Sequence, residues 1–206
     1  MLNNFVSAIV ISGGRATRMG GVDKGLIKLQ NQPLIQHVIK RLTPQVDEVL
    51  INANREISQY QAFAYPVLQD IHADFIGPLA GFSLGLQYAK YGHLLTVPCD
   101  SPLLPLDLAQ RLLTHLTEKN ADIAVASSDG NAYPVFSLCK KTVLPSLNQY
   151  LALGERRVSA WQKSLRYIEV DFSDHSDAFI NLNTADDLAA LESKLKQSSQ
   201  LKSDHA

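Results

Sequence analysis

The chain has 206 residues, with 19 lysine and arginine against 20 aspartate and glutamate residues, a formal net charge of −1 and 46% hydrophobic residues. That length suits one domain able to bury its own core without disulfides or a structural metal, and the near-neutral balance, with a pI of about 6.6, excludes a nucleic-acid coat. Cys99 and Cys139 form no CxxC or Cys/His cluster, so they read as buried thiols in a reducing compartment; with no basic leader and no apolar run approaching ~18 residues, a soluble cytoplasmic protein that binds neither membrane nor nucleic acid is expected.

Residues 6–11 form a short apolar, β-branched run that reads as a strand, and a glycine-rich basic loop follows it. Apolar patterns of helical spacing at 34–42, 79–89 and 106–116 alternate with short strand-like runs at 49–51, 67–68 and 94–97. This alternation predicts βαβ units and a mostly parallel sheet covered by helices on both faces, an α/β fold. Further on, strands at 123–126 and 135–138 flank a turn around Asp129-Gly130, which predicts a small antiparallel portion in a mixed sheet. A helix over 141–153 stops at Gly154. Thr184, with Asp187 three residues on, reads as the N-cap of a last helix ending near Lys196. One domain over residues 1–196 is expected, and the serine- and lysine-rich residues 197–206 read as a disordered tail.

Ligands of open α/β sheets bind beyond the carboxyl ends of the strands. Here those positions are Ser12-Gly13-Gly14, Asn52-Ala53-Asn54, Gln69-Asp70 and Cys99-Asp100, all polar or glycine-bearing. Between residues 12 and 28 the charged side chains are Arg15, Arg18, Lys24 and Lys28 against Asp23 alone, a surplus of three positive charges in a nearly neutral chain. Glycine pairs let the backbone turn tightly around an anion, and the local surplus points to a bound polyanion, most simply nucleotide phosphates. The loop has neither the Walker A spacing nor GxGxxG. Arg18 and Lys24 are the side chains placed on the phosphates, by bidentate contact and by point charge respectively; Arg15 is left to solvent.

Asp100 closes the strand-like run at 94–97, where one carboxylate could hold Mg²⁺ while phosphates and water complete the shell, or could instead cap the turn before Pro102. Asp70 opens a loop of residues 70–81 that leads into a helix and suits substrate binding, and His72 within it has no assigned role. Arg156 and Arg157 form either a second anion site or a solvated face. Asn181 and Asn183 point the same way in an extended segment, where they could read a base, ligate a metal or cap the last helix. No Ser/His/Asp triad and no pair of catalytic carboxylates emerges.

The signature over residues 13–25, Gly-Gly-Arg-Ala-Thr-Arg-Met-Gly-Gly-Val-Asp-Lys-Gly, resembles that of the bacterial molybdenum cofactor guanylyltransferases. Supporting segments are Asn52-Ala53-Asn54-Arg55, Gly77-Pro78-Leu79-Ala80-Gly81, Pro98-Cys99-Asp100, Gly154-Glu155-Arg156-Arg157-Val158 and Asp171-Phe172-Ser173-Asp174-His175 with residues 179–184, so the likeness covers nearly the whole chain. The resemblance implies a Rossmann-like nucleotidyltransferase fold and a transfer of GMP from GTP to the terminal phosphate of Mo-molybdopterin, with release of pyrophosphate and dependence on Mg²⁺. It implies GTP contacts at Ile11, Ser12, Gly13, Lys24, Asn52, Asp70 and Asp100, with Mg²⁺ at Asp100. It further implies a molybdopterin side formed by Gly77, Pro78, Leu79, Ala80, Gly81, Arg156, Asn181 and Asn183, and transient contacts with molybdenum insertion proteins or molybdoenzyme chaperones. The catalytic residues expected on this reading are Arg18, Lys24 and Asp100. The family usually carries leucine and alanine where this chain has Ile11 and Ser12, a change that a backbone contact tolerates. Two alternatives stand beside it: a CTP-using enzyme of the same fold, and a noncatalytic module that binds and delivers the cofactor.

Overall fold

A run such as Val-Ser-Ala-Ile-Val-Ile-Ser, apolar with little alternation, is stable only where both faces of a strand are covered. In a computed structural model, which describes residues 5–12, 23–70, 77–180, 182 and 184–203, this run is β1 (Val6–Ser12), buried along nearly its whole length. It lies inside a seven-stranded sheet that also contains β4 (Glu48–Ala53), β5 (Val67–Leu68), β6 (His93–Pro98), β7 (Ile123–Ser128), β8 (Asn131–Lys140) and β9 (Tyr167–Asp171), in the order β5-β4-β1-β6-β8-β7-β9. β1 pairs in parallel with β4 and β6, β4 with β5 and β7 with β9; β8 alone runs against its neighbours β6 and β7. The sheet is therefore mostly parallel with a small antiparallel part, as the alternating pattern predicts. The hairpin between β7 and β8 turns through Asp129 and Gly130, both at positive φ (51° and 76°). A separate small hairpin joins β2 (Lys28–Leu29) and β3 (Gln32–Pro33).

Helices cover both faces because successive strand residues point oppositely. Ala8 and Val10 face a core closed by Ile35, Val38 and Leu42 of α1 (Leu34–Leu42) and by Leu108, Leu112 and Leu116 of α4 (Leu108–Glu118). Ile9 faces the other core, built from Leu79, Phe82 and Leu86 of α3 (Pro78–Tyr88), Leu147 and Leu151 of α5 (Leu144–Ala152) and Trp161 of α6 (Val158–Lys163). α2 (Ile57–Gln61) follows β4, and α7 (Ala185–Ser203) packs Leu191 against Leu29, Leu34 and Leu182.

The expected elements fall close to these bounds, with three differences. The pattern at 141–153 divides into a 3-10 turn, Lys141–Val143, and α5, because Pro145 sits in the first turn of the α-helix. The last helix, capped as expected by reciprocal hydrogen bonds between Thr184 and Asp187, continues past Lys196 to Ser203, with no glycine or proline to stop it. The third is that α2, α6, β9 and the β2–β3 hairpin are not marked by the sequence pattern.

Two glycines let α3 lie close to the sheet. A Cβ at Gly85 would come within 2.7 Å of Leu94 Cδ2 and 2.9 Å of Ile9 Cγ2, and one at Gly81 within 2.9 Å of both Asn52 Oδ1 and Ile11 Cγ1. α3 begins at Gly77-Pro78, where Gly77 adopts φ 119° and ψ −179°, a conformation open only to glycine.

Candidate functional site

Because β5, β4, β1 and β6 are parallel neighbours, Leu68, Ala53, Ser12 and Pro98 end on one edge of the sheet, and the residues beyond them share it. Ile11 lies in register with Asn52 on one side and Pro98 on the other, and its carbonyl accepts from Cys99 N at 3.2 Å.

The chain returns to this edge at Asp23, which is buried and caps the 3-10 turn Lys24–Leu26 by accepting from Gly25 N at 3.4 Å. Lys24 is then the first residue of the turn, and its Nζ lies 3.3 Å from Asp100 Oδ2, with side chains 20% and 10% exposed. A lysine and an aspartate so placed form a partly desolvated pair of opposite charges at the strand ends. In such surroundings their attraction is offset by the loss of hydration, so the pair contributes little net stability.

A second cluster stands beyond β4 and β5. Asn52 Nδ2 donates to Asp70 Oδ1 at 2.9 Å and to the Leu68 carbonyl at 3.3 Å, Asn54 Nδ2 donates to Asp70 Oδ2 at 2.6 Å, and Asp70 N donates to Asn54 Oδ1 at 2.8 Å. Each carboxylate oxygen of Asp70 is thus fixed by one amide and keeps a further lone pair. Asp70 itself is half-buried.

The remaining expected site residues divide as follows. Ile11 and Ser12 lie on this edge, Ser12 with only 1% exposure. Gly81 touches Asn52 and Ile11, which brings the start of α3 to the same edge; Leu79, Ala80 and Gly81 are buried, leaving Gly77 and Pro78 as its accessible part. Leu182 N donates to the Asp100 carbonyl at 3.3 Å. Arg156 Nη1 donates to the carbonyls of Leu151 at 3.0 Å and Glu155 at 2.7 Å, tying it to the C-terminal end of α5. Gly13, Arg15, Arg18, His72, Asn181 and Asn183 lie outside the described residues.

Cys99 and Cys139 are both fully buried thiols. Burial, aided by the neighbouring Asp100, pushes the Cys99 thiol far above its ordinary value, and burial pushes Cys139 up to about 12, so neither supplies a thiolate. Among the described residues no three His, Cys, Asp or Glu side chains gather into a metal cage. The chemistry of the edge fits a divalent cation of the Mg²⁺ type, which needs one carboxylate such as Asp100 and takes its other ligands from phosphate and water.

Three contributors carry no role in the sequence reading, although Asn54 and Arg55 stand in its strand-end and supporting segments. Asn54 sits two residues from Asn52, a spacing that puts alternate side chains of an extended segment on one side. Arg55 Nη2 reaches Asp23 Oδ2 at 3.7 Å, and the Tyr60 hydroxyl hydrogen-bonds the same carboxylate. These last two are contacts across the fold that local spacing does not signal.

Comparison with known proteins places these features among relatives. A MobA-like NTP transferase domain matches residues 8–168. A molybdenum cofactor guanylyltransferase of Polynucleobacter asymbioticus is 47% identical, covering 92% of this chain and 97% of its own length. Another from Shewanella putrefaciens is 44% identical, covering 88% of this chain and 93% of its own length. The crystal structure of molybdopterin-guanine dinucleotide biosynthesis protein A from Archaeoglobus fulgidus superposes with a TM-score of 0.77 at 19% identity, over 93% of this chain and 99% of that one. CMP:2-keto-3-deoxy-manno-octonic acid synthetase shares the fold with a TM-score of 0.71 at 14% identity, over 94% and 99% of the two chains. Among the described residues no helix is long and apolar enough to cross a membrane.

Proposed function

Because this chain belongs to the molybdenum cofactor guanylyltransferase family of MobA-like NTP transferases and is a nucleotidyltransferase, we propose that it transfers GMP from GTP to the terminal phosphate of Mo-molybdopterin. A terminal phosphate oxygen of the acceptor attacks the α-phosphorus of GTP, the bond to the bridging oxygen of the β-phosphate breaks, and pyrophosphate leaves. The product is a guanine dinucleotide form of the cofactor.

The observation that carries this reading is the Lys24–Asp100 pair, 3.3 Å apart at the strand ends, beside the carboxylate of Asp70 held by two amides. The attacking oxygen is already anionic, so the reaction needs no enzyme nucleophile and no strong general base. What the protein supplies is alignment of two polyanions and stabilisation of charge in motion. Lys24 binds the phosphates and stabilises charge moving onto pyrophosphate, together with Arg18. Asp100 holds Mg²⁺, which when bound neutralises charge on the α-phosphate. Ile11, Ser12 and Gly13 offer backbone to the nucleotide.

Guanine presents two adjacent donors, N1–H and the 2-amino group, to which the free lone pairs of Asp70 are complementary. Cytosine presents an acceptor at the corresponding ring nitrogen and would be repelled. Asp70, fixed by Asn52 and Asn54, is therefore assigned to base selection. Gly77, Pro78, Leu79, Ala80, Gly81, Arg156, Asn181 and Asn183 are assigned to the molybdopterin side. Molybdenum insertion proteins or molybdoenzyme chaperones are its transient partners, and the cytoplasm is its compartment.

Calorimetric titration of the purified protein with GTP and then CTP, each with Mg²⁺, tests the nucleotide assignment. Saturable GTP binding with little CTP binding is expected. A CTP preference would replace it with cytidylyl transfer, and binding of neither would favour a module that carries the finished cofactor.

A further inference from the structure

Tyr60 is fully buried in α2 although its hydroxyl is polar, and that hydroxyl meets the carboxylate of Asp23, the residue just before Lys24. The same carboxylate accepts from Gly25 N at 3.4 Å and faces Arg55 Nη2 at 3.7 Å. Gly25 is pressed into the corner as well: a Cβ there would lie 2.7 Å from the Tyr60 hydroxyl and 3.3 Å from both Cβ and Sγ of Cys99. Residues on either side of Lys24 are thus gripped by the segment that follows β4 and by the end of β6, while Lys24 itself reaches Asp100 at 3.3 Å.

We propose that Tyr60, acting through Asp23, is a positioning residue that holds Lys24 at the nucleotide phosphates; this rests on the reading that Lys24 contacts the nucleotide. Burial, reinforced by Cys99 and by Asp23, pushes the Tyr60 phenol well above its ordinary value, so it remains a donor wherever the protein is folded. A buried phenol donating to a carboxylate makes one of the stronger neutral-to-ion hydrogen bonds. Its geometry fixes the Asp23 side chain, and with it the backbone from which Lys24 projects. Tyr60 touches no reacting atom, and nothing in the local sequence around it marks this role.

A four-protein cycle tests the proposal: GTP with Mg²⁺ is titrated calorimetrically into wild type, Tyr60→Phe, Lys24→Ala and the double variant, with thermal unfolding of each recorded without ligand. Tyr60→Phe keeps the ring in its packing and is expected to weaken GTP binding about tenfold. In the Lys24→Ala background the same change is expected to cost less than about twofold, because its effect passes through Lys24. Unchanged GTP affinity in Tyr60→Phe overturns the proposal. So does an equal loss with and without Lys24, which would mark Tyr60 as a general support of the fold. If Lys24→Ala itself binds GTP as tightly as wild type, the assignment of Lys24 to the nucleotide fails, and the proposal with it. Should Tyr60→Phe not fold, Asp23→Asn takes its place in the cycle: Oδ1 accepts from both Tyr60 and Gly25, so the change weakens that acceptor by removing its charge and sets an amide NH2 against Arg55, and additive losses again refute the coupling.

Discussion

Replacing Gly81 by alanine tests how closely the packing of α3 is tied to the nucleotide edge. In a helix interior the change alone favours folding by about 1 kcal/mol, since alanine loses less backbone freedom than glycine. Here the added Cβ would stand 2.9 Å from Asn52 Oδ1 and from Ile11 Cγ1, and 3.1 Å from Ile11 Cδ1. Those neighbours must give by roughly half an ångström to restore ordinary contact, and overpacking of that kind costs about 1–3 kcal/mol. The net effect is a loss of roughly 0–2 kcal/mol in stability by the same two magnitudes. The functional effect should be larger. Asn52 cannot yield without disturbing its hydrogen bond to Asp70 at 2.9 Å, a bond to a charged acceptor worth about 1.5–3 kcal/mol, so GTP affinity should fall by about tenfold or more. Gly85→Ala is the matched control, because its Cβ would strike Leu94 at 2.7 Å and Ile9 at 2.9 Å, side chains of the core that do not touch the edge. Urea unfolding and calorimetric GTP titration of both variants are the assays. Comparable stability losses with a GTP defect only in Gly81→Ala are expected; equal GTP defects in the two, or none in Gly81→Ala, would refute the reasoning.

Asp70→Asn keeps the shape of the cluster but replaces an acceptor oxygen by an amide donor, so GTP affinity should drop by about 10–100-fold while CTP affinity holds or rises; a parallel loss for both nucleotides in competition binding would remove Asp70 from base selection. Burial holds the His93 imidazole below its ordinary value of 6.5, so its contribution to stability is complete above that pH and is lost as pH falls below it. The melting temperature of wild type should therefore decline between pH 7 and 5 relative to His93→Gln, and parallel curves would count against it. Arg111 stacks on Phe172 at 4.4 Å and pairs bidentately with Asp174 at 2.8 Å, holding the latter's carboxyl at about 2 against an ordinary 3.8. Arg111→Ala should lower the melting temperature at neutral pH, with the deficit shrinking as pH falls from about 4 towards 2 because Asp174 then loses its charge in the wild type too; a deficit independent of pH would show that the stacking alone matters.

The parallel half of the sheet was readable because burial on both faces forces apolar runs, and residues 34–42 and 67–68 coincide with α1 and β5. The reversal at β8 was legible from Asp129-Gly130, where the turn needs positive φ at both residues. Tyr167–Asp171 escaped notice because β9 is an edge strand, half exposed and with a single well-buried residue, Val170. The five- and six-residue helices α2 and α6 are too short to show a period. At the site, positions just past strand ends were legible from the sequence, and Lys24, Asn52, Asp70 and Asp100 do converge on one edge. What joins them was not legible. Asp23 with Tyr60 and Asn54 with Asp70 are separated by 37 and 16 positions, and only the fold brings them together.

Pyrophosphate release with GTP, Mg²⁺ and Mo-molybdopterin, followed for wild type and for folded Lys24→Ala, tests guanylyl transfer at this edge most directly. The account predicts release that requires both GTP and the acceptor, fails with CTP, and falls by about 100-fold or more in Lys24→Ala. Wild-type turnover in the folded variant, or no acceptor-dependent release from the wild-type protein, would contradict it.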